Sequence, residues 1–211
     1  MGFYTDVLLL GDDILYRGYE DGDAITYREK IRPLLYFVPQ DQTKKSKYKT
    51  LDGRYAHPKR FDGARDARSF IEKYENVEGL EVHGYDRFVY QFIADKFPDE
   101  IDFDMDLMKI YTIDIEVACD NGFPSVEECR EEMLCITLKN LITKKITTWG
   151  TREFQGEHEY RLFDTESEML EDFLKWWVSD TPDVITGWNC ELYDIPYICR
   201  RLDRVLGEKW K

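Results

Sequence analysis

The sequence predicts an α/β protein in two parts, with a boundary near residue 106. Three observations carry this. The first hundred residues alternate short apolar runs with Gly, Pro and Asp turn signals, the pattern of an α+β domain. From Lys109 onward the pattern changes to three closely spaced strand candidates followed by a helix, a strand and a helix. At 211 residues, with 43% hydrophobic and 15% aromatic residues, the chain is long and apolar enough for one large core or two small ones.

In order, "ILYRGYEDGDAITYRE" predicts a hairpin turning at Asp21-Gly22. Leu34–Pro39 is a short apolar strand ended by proline, and the Lys-rich loop Lys44–Lys49 follows. Phe70, Ile71, Tyr74 and Val77 recur at helical spacing and predict a helix over about 64–77, stopped by Gly79. Arg87–Phe97, rich in aromatic and β-branched residues, reads as a strand. Asp102, Asp104 and Asp106 alternate with Phe103, Met105 and Leu107, which predicts a half-exposed strand and lacks the Gly and terminal Glu of a calcium loop.

In the second part, Lys109–Val117, Met133–Lys139 and Lys145–Trp149 predict an antiparallel meander. Thr165 and Glu168 form a capping-box signature, and the helix after them carries Met169, Leu170, Phe173, Leu174 and Trp177 on one face. Asp183–Trp188 predicts a compact buried strand. The last helix has Pro196 near its first turn, Ile198, Leu202 and Val205 inward, and Gly207 at its end. This element order matches the opening of a ribonuclease-H-like domain.

The formal charge of −14 argues against a protein that wraps duplex DNA by its overall field. Between Lys30 and Arg68, however, eleven Lys and Arg face four Asp and no Glu, a net of +7, leaving −21 on the remainder. That asymmetry fits either a solvated loop or a polyanion site. Five cysteines without a C-x-x-C pair suggest neither a disulfide framework nor a zinc site. The apolar run Val7–Leu10 is too short for a signal peptide or a membrane span, so the expectation is a soluble, intracellular chain.

The chemistry centres on "KIYTIDIEV". Alternation on a strand puts Asp114 and Glu116 on one face and Ile113, Ile115 and Val117 on the other. Two close carboxylates repel, so they call for basic partners or hard cations. Alone, D-x-E also describes many exposed strands. Eighty positions on, "ITGWNCELYDIPYI" places Asp194 at a strand-to-helix turn, where it reads as a helix N-cap, as a site carboxylate, or as both.

Together, "DIEV" and "GWNCELYDIPYI" resemble the first two exonuclease motifs of family B DNA polymerases. The upstream "YKTLDGRYAHPKRFDGARDARSFIEK" and the "GFP" after the first motif resemble the replicative polymerases of tailed bacteriophages. The resemblance spans nearly the whole chain. It implies an N-terminal polymerase domain over 1–106 and, over 107–211, the first part of a ribonuclease-H-like 3′→5′ proofreading domain with a mixed sheet.

By that resemblance Asp114, Glu116 and Asp194 are catalytic metal ligands for two divalent ions, Mg2+ or Mn2+. Asp114 would bridge both ions, Glu116 would hold the water-activating one and Asp194 the other. Asn189 matches the asparagine that helps position a single-stranded end. Phe123 is a candidate for stacking on an unpaired base, or a loop aromatic that caps the core before Pro124. Lys44, Lys45, Lys47, Lys49, Arg54, Lys59 and Arg60, with Tyr48 and Tyr55 interleaved, are candidates for a phosphate track.

The implied partners are single-stranded DNA (primer 3′ end and template), RNA as a second ligand, the remainder of a polymerase chain and a sliding clamp. No membrane is implied, and the implied location is the cytoplasm of an infected bacterium. The family's third exonuclease motif and its polymerase domain are expected after Lys211, so the resemblance implies a fragment or split product, weak or inactive as a nuclease alone. The alternative is a non-catalytic RNA- or DNA-binding module that keeps the fold, acting as a translational regulator.

Overall fold

The computed structural model describes residues 2–84, 86–119 and 122–207. They form two compact units, Met1–Asp104 and Met105–Lys211.

In the first unit, β1 (Gly2–Leu10), β2 (Asp13–Glu20) and β3 (Asp23–Lys30) make an antiparallel meander. The β2–β3 turn holds Asp21 at φ 53° and Gly22 at φ 91°. A two-residue hairpin of this hand needs positive φ at both positions, which is why Asp-Gly stands there. A second antiparallel sheet joins β4 (Leu34–Pro39), β5 (Tyr48–Lys49), β6 (Tyr55–Arg60) and β7 (Leu80–His83) in the order β5-β6-β4-β7. Helix α1 (Ala64–Tyr74) buries Ala64 and Ala67, and it ends before the exposed Val77.

Two expectations for this unit fail. Arg87–Phe97 is not a strand but helix α2 (Phe88–Lys96). Phe88, Val89 and Phe92 fall on one helical face and pack on the core of Ile14, Tyr16, Leu35 and Phe61, so tertiary burial overrides β propensity. Gln91 on the same helix donates to the Leu34 carbonyl at 2.8 Å and accepts the Leu34 amide at 2.7 Å, fixing α2 to the start of β4. The Asp102–Asp106 alternation forms no strand either, only a 3-10 turn at Met105–Leu107. Ile101, Phe103 and Met105 are all exposed, so no buried face exists to fix an extended register.

The second unit is a five-stranded mixed sheet flanked by helices. The meander of β8 (Ile110–Val117), β9 (Met133–Asn140) and β10 (Ile146–Gly150) is antiparallel. β11 (Glu159–Leu162) adds parallel to β10, and β12 (Val184–Thr186) adds parallel to β8. Sequence reading missed β11 because Glu159–Leu162 alternates charge with Tyr160 and Leu162 over only four residues, and Leu162 is 53% exposed. Its charges instead pair with Lys145 at 2.7 Å and Asp172 at 3.1 Å on neighbouring elements. β12 is shorter and less buried than expected, with Val184 40% exposed, because it is the outer strand of the sheet.

Helix α3 (Glu166–Ser179) starts at the full capping box: Glu168 N–H donates to Thr165 Oγ1 at 3.3 Å, and Thr165 N–H donates to Glu168 Oε2 at 3.2 Å. Its Met169, Leu170 and Phe173 pack with Tyr197 and Ile198 of α4 (Asp194–Leu206) against Ile113, Ile115, Ile136, Leu138 and Trp149 of the sheet. Each such side chain contributes about 1.5–3 kcal/mol when fully buried. One face of β8 is thereby committed to the core, and the opposite face is left for Asp114 and Glu116.

Candidate functional site

Ile113 and Ile115 are buried, while Asp114 and Glu116 between and beyond them are exposed. Across the ladder on β9, Thr137 stands opposite Asp114 and Cys135 opposite Glu116, and neither carries a positive charge. Among the described residues, no Lys or Arg forms an ion pair with Asp114 or Glu116. Burial, and then the charges of Glu116 and Asp114, push the Cys135 thiol up.

Asp194 approaches the same strand from another element. It is the first residue of α4 and only 4% exposed. Of the readings open for it, the N-cap is not what it performs: Tyr193 holds the cap position, and Asp194 Oδ1 accepts the Ile115 amide at 3.1 Å. β12 pairs with β8 only as far as Thr112, and farther along the strand the carboxylate takes an amide that β12 does not reach. The turn is closed by backbone, since the Asn189 carbonyl accepts from Leu192 at 3.1 Å and Tyr193 at 3.0 Å, and the Cys190 carbonyl accepts from Ile195 at 2.9 Å. Gly187 admits the close approach of this turn, because a β-carbon there would lie 2.5 Å from the Ile113 carbonyl oxygen.

Burial pushes the Asp194 carboxyl above its ordinary range; the Ile115 amide opposes this, and the charge of Asp114 adds to it. The trio is thus brought to one short segment of β8. Among the described residues, though, no three His, Cys, Asp or Glu side chains form a group that could hold a metal ion.

The remaining expected residues divide. Asn189 is exposed and sits at φ 57°, the left-handed region that Asn tolerates. Phe123 is 82% exposed with its ring 4.8 Å from that of Tyr193, so it does not cap the core. Sequence reading missed Trp188 (95% exposed) and Leu192 (73% exposed) on either side of Asn189. The signal was present, since large apolar residues interrupt an otherwise polar turn.

In the first unit, Lys44, Lys45, Lys47 and Lys49 are exposed, with Lys47 over the Tyr48 ring at 4.8 Å and Lys49 over Tyr55 at 5.2 Å. Lys59 leans on Phe70 at 4.5 Å, and Arg60 donates to the Arg32 carbonyl at 3.2 Å. Arg54 is already committed: Nε donates to Asp52 at 2.7 Å, and the two terminal nitrogens donate to the Glu81 carboxylate at 2.5 and 2.9 Å. Its guanidinium is satisfied by acids and belongs to the loop's own structure. A groove of about 500 Å³ lined by Tyr36, Tyr48, Lys49, Leu51 and His83 adjoins this loop. No helix among the described residues is long and apolar enough to cross a membrane, and the five cysteines are unpaired.

The sheet order β11-β10-β9-β8-β12 and the helices packed on it form a ribonuclease-H-like domain, with two acids on β8, the strand next to the outer β12. Residues 88–211, starting at the first residue of α2, match the family model described as DNA polymerase family B, exonuclease domain. The chain belongs to the family B DNA polymerases. It is 30% identical to the DNA-directed DNA polymerase of Escherichia phage RB69 and 28% identical to that of Enterobacteria phage T4, in each case over 98% of this chain. It spans about a quarter of those relatives, 26% of each. Over 45% of this chain it is 31% identical to the DNA polymerase catalytic subunit of human herpesvirus 6B, covering 10% of that protein.

Proposed function

We propose that this chain supplies the N-terminal domain and part of the proofreading domain of a replicative DNA polymerase, and that its second unit serves 3′→5′ removal of nucleotides from single-stranded DNA. The observation that carries the reading is the pair Asp114 and Glu116, exposed side by side on β8, with Asp194 bound to the amide between them. This donor set fits hard divalent cations. All its donors are carboxylate oxygens, and two of the acids, Asp114 and Glu116, are exposed with no basic partner among the described residues.

Asp114, Glu116 and Asp194 would hold Mg2+ or Mn2+. When bound, such ions supply hydroxide near neutral pH and stabilise charge on a phosphodiester. The chain's own residues hold the strand. The exposed Phe123 ring offers an unpaired base a stacking surface, and Asn189 stands on the turn leading to Asp194. Lys44, Lys45, Lys47 and Lys49 offer phosphate contacts to DNA or RNA in the first unit. The partners in this reading are primer and template strands, the rest of the polymerase and a sliding clamp, in the cytoplasm of an infected bacterium.

The test is thermal unfolding of the chain with increasing Mn2+. Wild type should be stabilised by about 2.7 kcal/mol at a hundred times the dissociation constant. Asp114→Asn with Glu116→Gln should abolish the gain. An equal gain in both proteins would sink the assignment.

A further inference from the structure

The connection from β8 to β9 carries Phe123, and α4 grips it from one side. Tyr197 Oη donates to the Glu131 carbonyl at 2.8 Å, Arg201 Nη1 donates to the carbonyls of Cys129 and Arg130 at 3.0 Å each, and Arg204 Nη1 donates to that of Glu128 at 3.1 Å. The other edge of the Arg201 guanidinium clasps Glu166 of α3, both bonds at 2.6 Å, and Glu166 Oε1 also accepts the amide of Met133, where β9 begins. Arg201 is 8% exposed, and Cys129 within the gripped segment is held at φ 46°. A left-handed cysteine costs free energy and persists only where its surroundings hold it.

Stability alone does not call for this arrangement, because well-packed apolar residues often do as well as a buried ion pair. What a planar guanidinium adds is direction: its N–H groups are fixed in one plane and aim at several acceptors at once. The same helix begins with Asp194 bound to β8, roughly 10 Å away along its axis. Phe123 rests on Tyr193, the residue just before it. One rigid element therefore holds a site carboxylate at its end and, two turns on, the carbonyls of the Phe123-bearing connection.

We propose that Arg201, seconded by Tyr197, is a positioning residue for single-strand binding, setting where Phe123 stands relative to Asp194. This rests on the nuclease reading above and deepens it. Arg201 touches neither metal nor strand; it acts through the backbone of 129–130.

The experiment is a double-mutant cycle on the full chain, read by anisotropy of a labelled oligothymidylate. Phe123→Ala should weaken binding about tenfold, within the range expected for loss of one stacking contact. Arg201→Lys, which keeps the charge and loses the fork, should weaken it to a similar degree. The double variant should bind no worse than Arg201→Lys alone, because a misplaced ring has nothing left to lose. Multiplying losses would overturn the proposal and leave the nuclease reading standing. No loss from Phe123→Ala alone would overturn both the proposal and the stacking role of Phe123, while the Mn2+ titration judges the carboxylates separately. If Arg201→Lys fails to fold, Tyr197→Phe removes the hydroxyl that donates to the Glu131 carbonyl, and the same non-additivity with Phe123→Ala is required of it.

Discussion

The carboxylate of Asp194 and the amide of Ile115 meet at 3.1 Å, joining the first residue of α4 to β8 between that strand's two exposed acids. One Asp194 oxygen is thereby committed to protein, and the position of its carboxylate is fixed by the strand that carries Asp114 and Glu116.

Asp194→Ala and Asp194→Asn should therefore separate. Alanine leaves a buried amide without an acceptor and should cost about 1–3 kcal/mol, measured by urea unfolding in chelator. Asparagine keeps an acceptor oxygen and removes a buried charge next to Asp114, so its cost should be smaller. Equal costs would mean that the bond to Ile115 contributes nothing.

Gly187→Ala should destabilise the second unit by about 1–3 kcal/mol, as overpacking does elsewhere. The new β-carbon meets the Ile113 carbonyl, which belongs to backbone and cannot swing away. Thermal unfolding would check this, and a neutral substitution would show that β12 shifts freely.

The pH dependence should have a component from Asp180, at the end of α3. Burial raises its carboxyl pKa, but bonds from Lys109 and the Tyr111 hydroxyl, each 2.7 Å, outweigh this and leave it below the ordinary value of 3.8. A depressed pKa stabilises the fold above the unfolded pKa, and that contribution is lost as pH falls through the folded one. The urea midpoint of wild type should thus drop more steeply below about pH 4 than that of Asp180→Asn. Parallel curves would contradict the assignment.

Oligonucleotide binding should depend on salt through the lysines and not through Arg54. Each lysine that meets a phosphate contributes about 0.7 to the slope of log affinity against log salt for a single strand. Alanine at Lys44, Lys45, Lys47 and Lys49 together should flatten that slope. Arg54→Ala should leave it unchanged, since its partners are Asp52 and Glu81. A slope lowered equally by both would reinstate Arg54 as a phosphate contact.

What could be read from the sequence was what is encoded locally. The Asp21-Gly22 hairpin, the Thr165–Glu168 box and the period-two placement of Asp114 and Glu116 each depend on residues a few positions apart. What failed depends on distant neighbours. α2 is a helix because its apolar face finds the first core, and Arg54 is neutralised by Glu81, 27 residues on. Between the cap and the site reading of Asp194 the local sequence could not choose, because the amide that takes its carboxylate lies 79 residues back.

The pairing of β12 with β8 carries a kinetic consequence. It closes a long stretch of chain, Lys109 N–H meeting Asp183 across 74 residues, for only three residue pairs of ladder. Closure entropy must be met before such contacts reward it, whereas the β8–β9–β10 meander assembles over shorter connections, of fifteen and five residues. The meander should form early, and β12 with the start of α4 should dock late and open first in native fluctuations. In pulse-labelling experiments the Ile115 proton, sheltered by a carboxylate that arrives with that last step, would gain protection after the amides of the meander. Refolding would thus expose Asp114 and Glu116 to solvent ions before their third companion is in place.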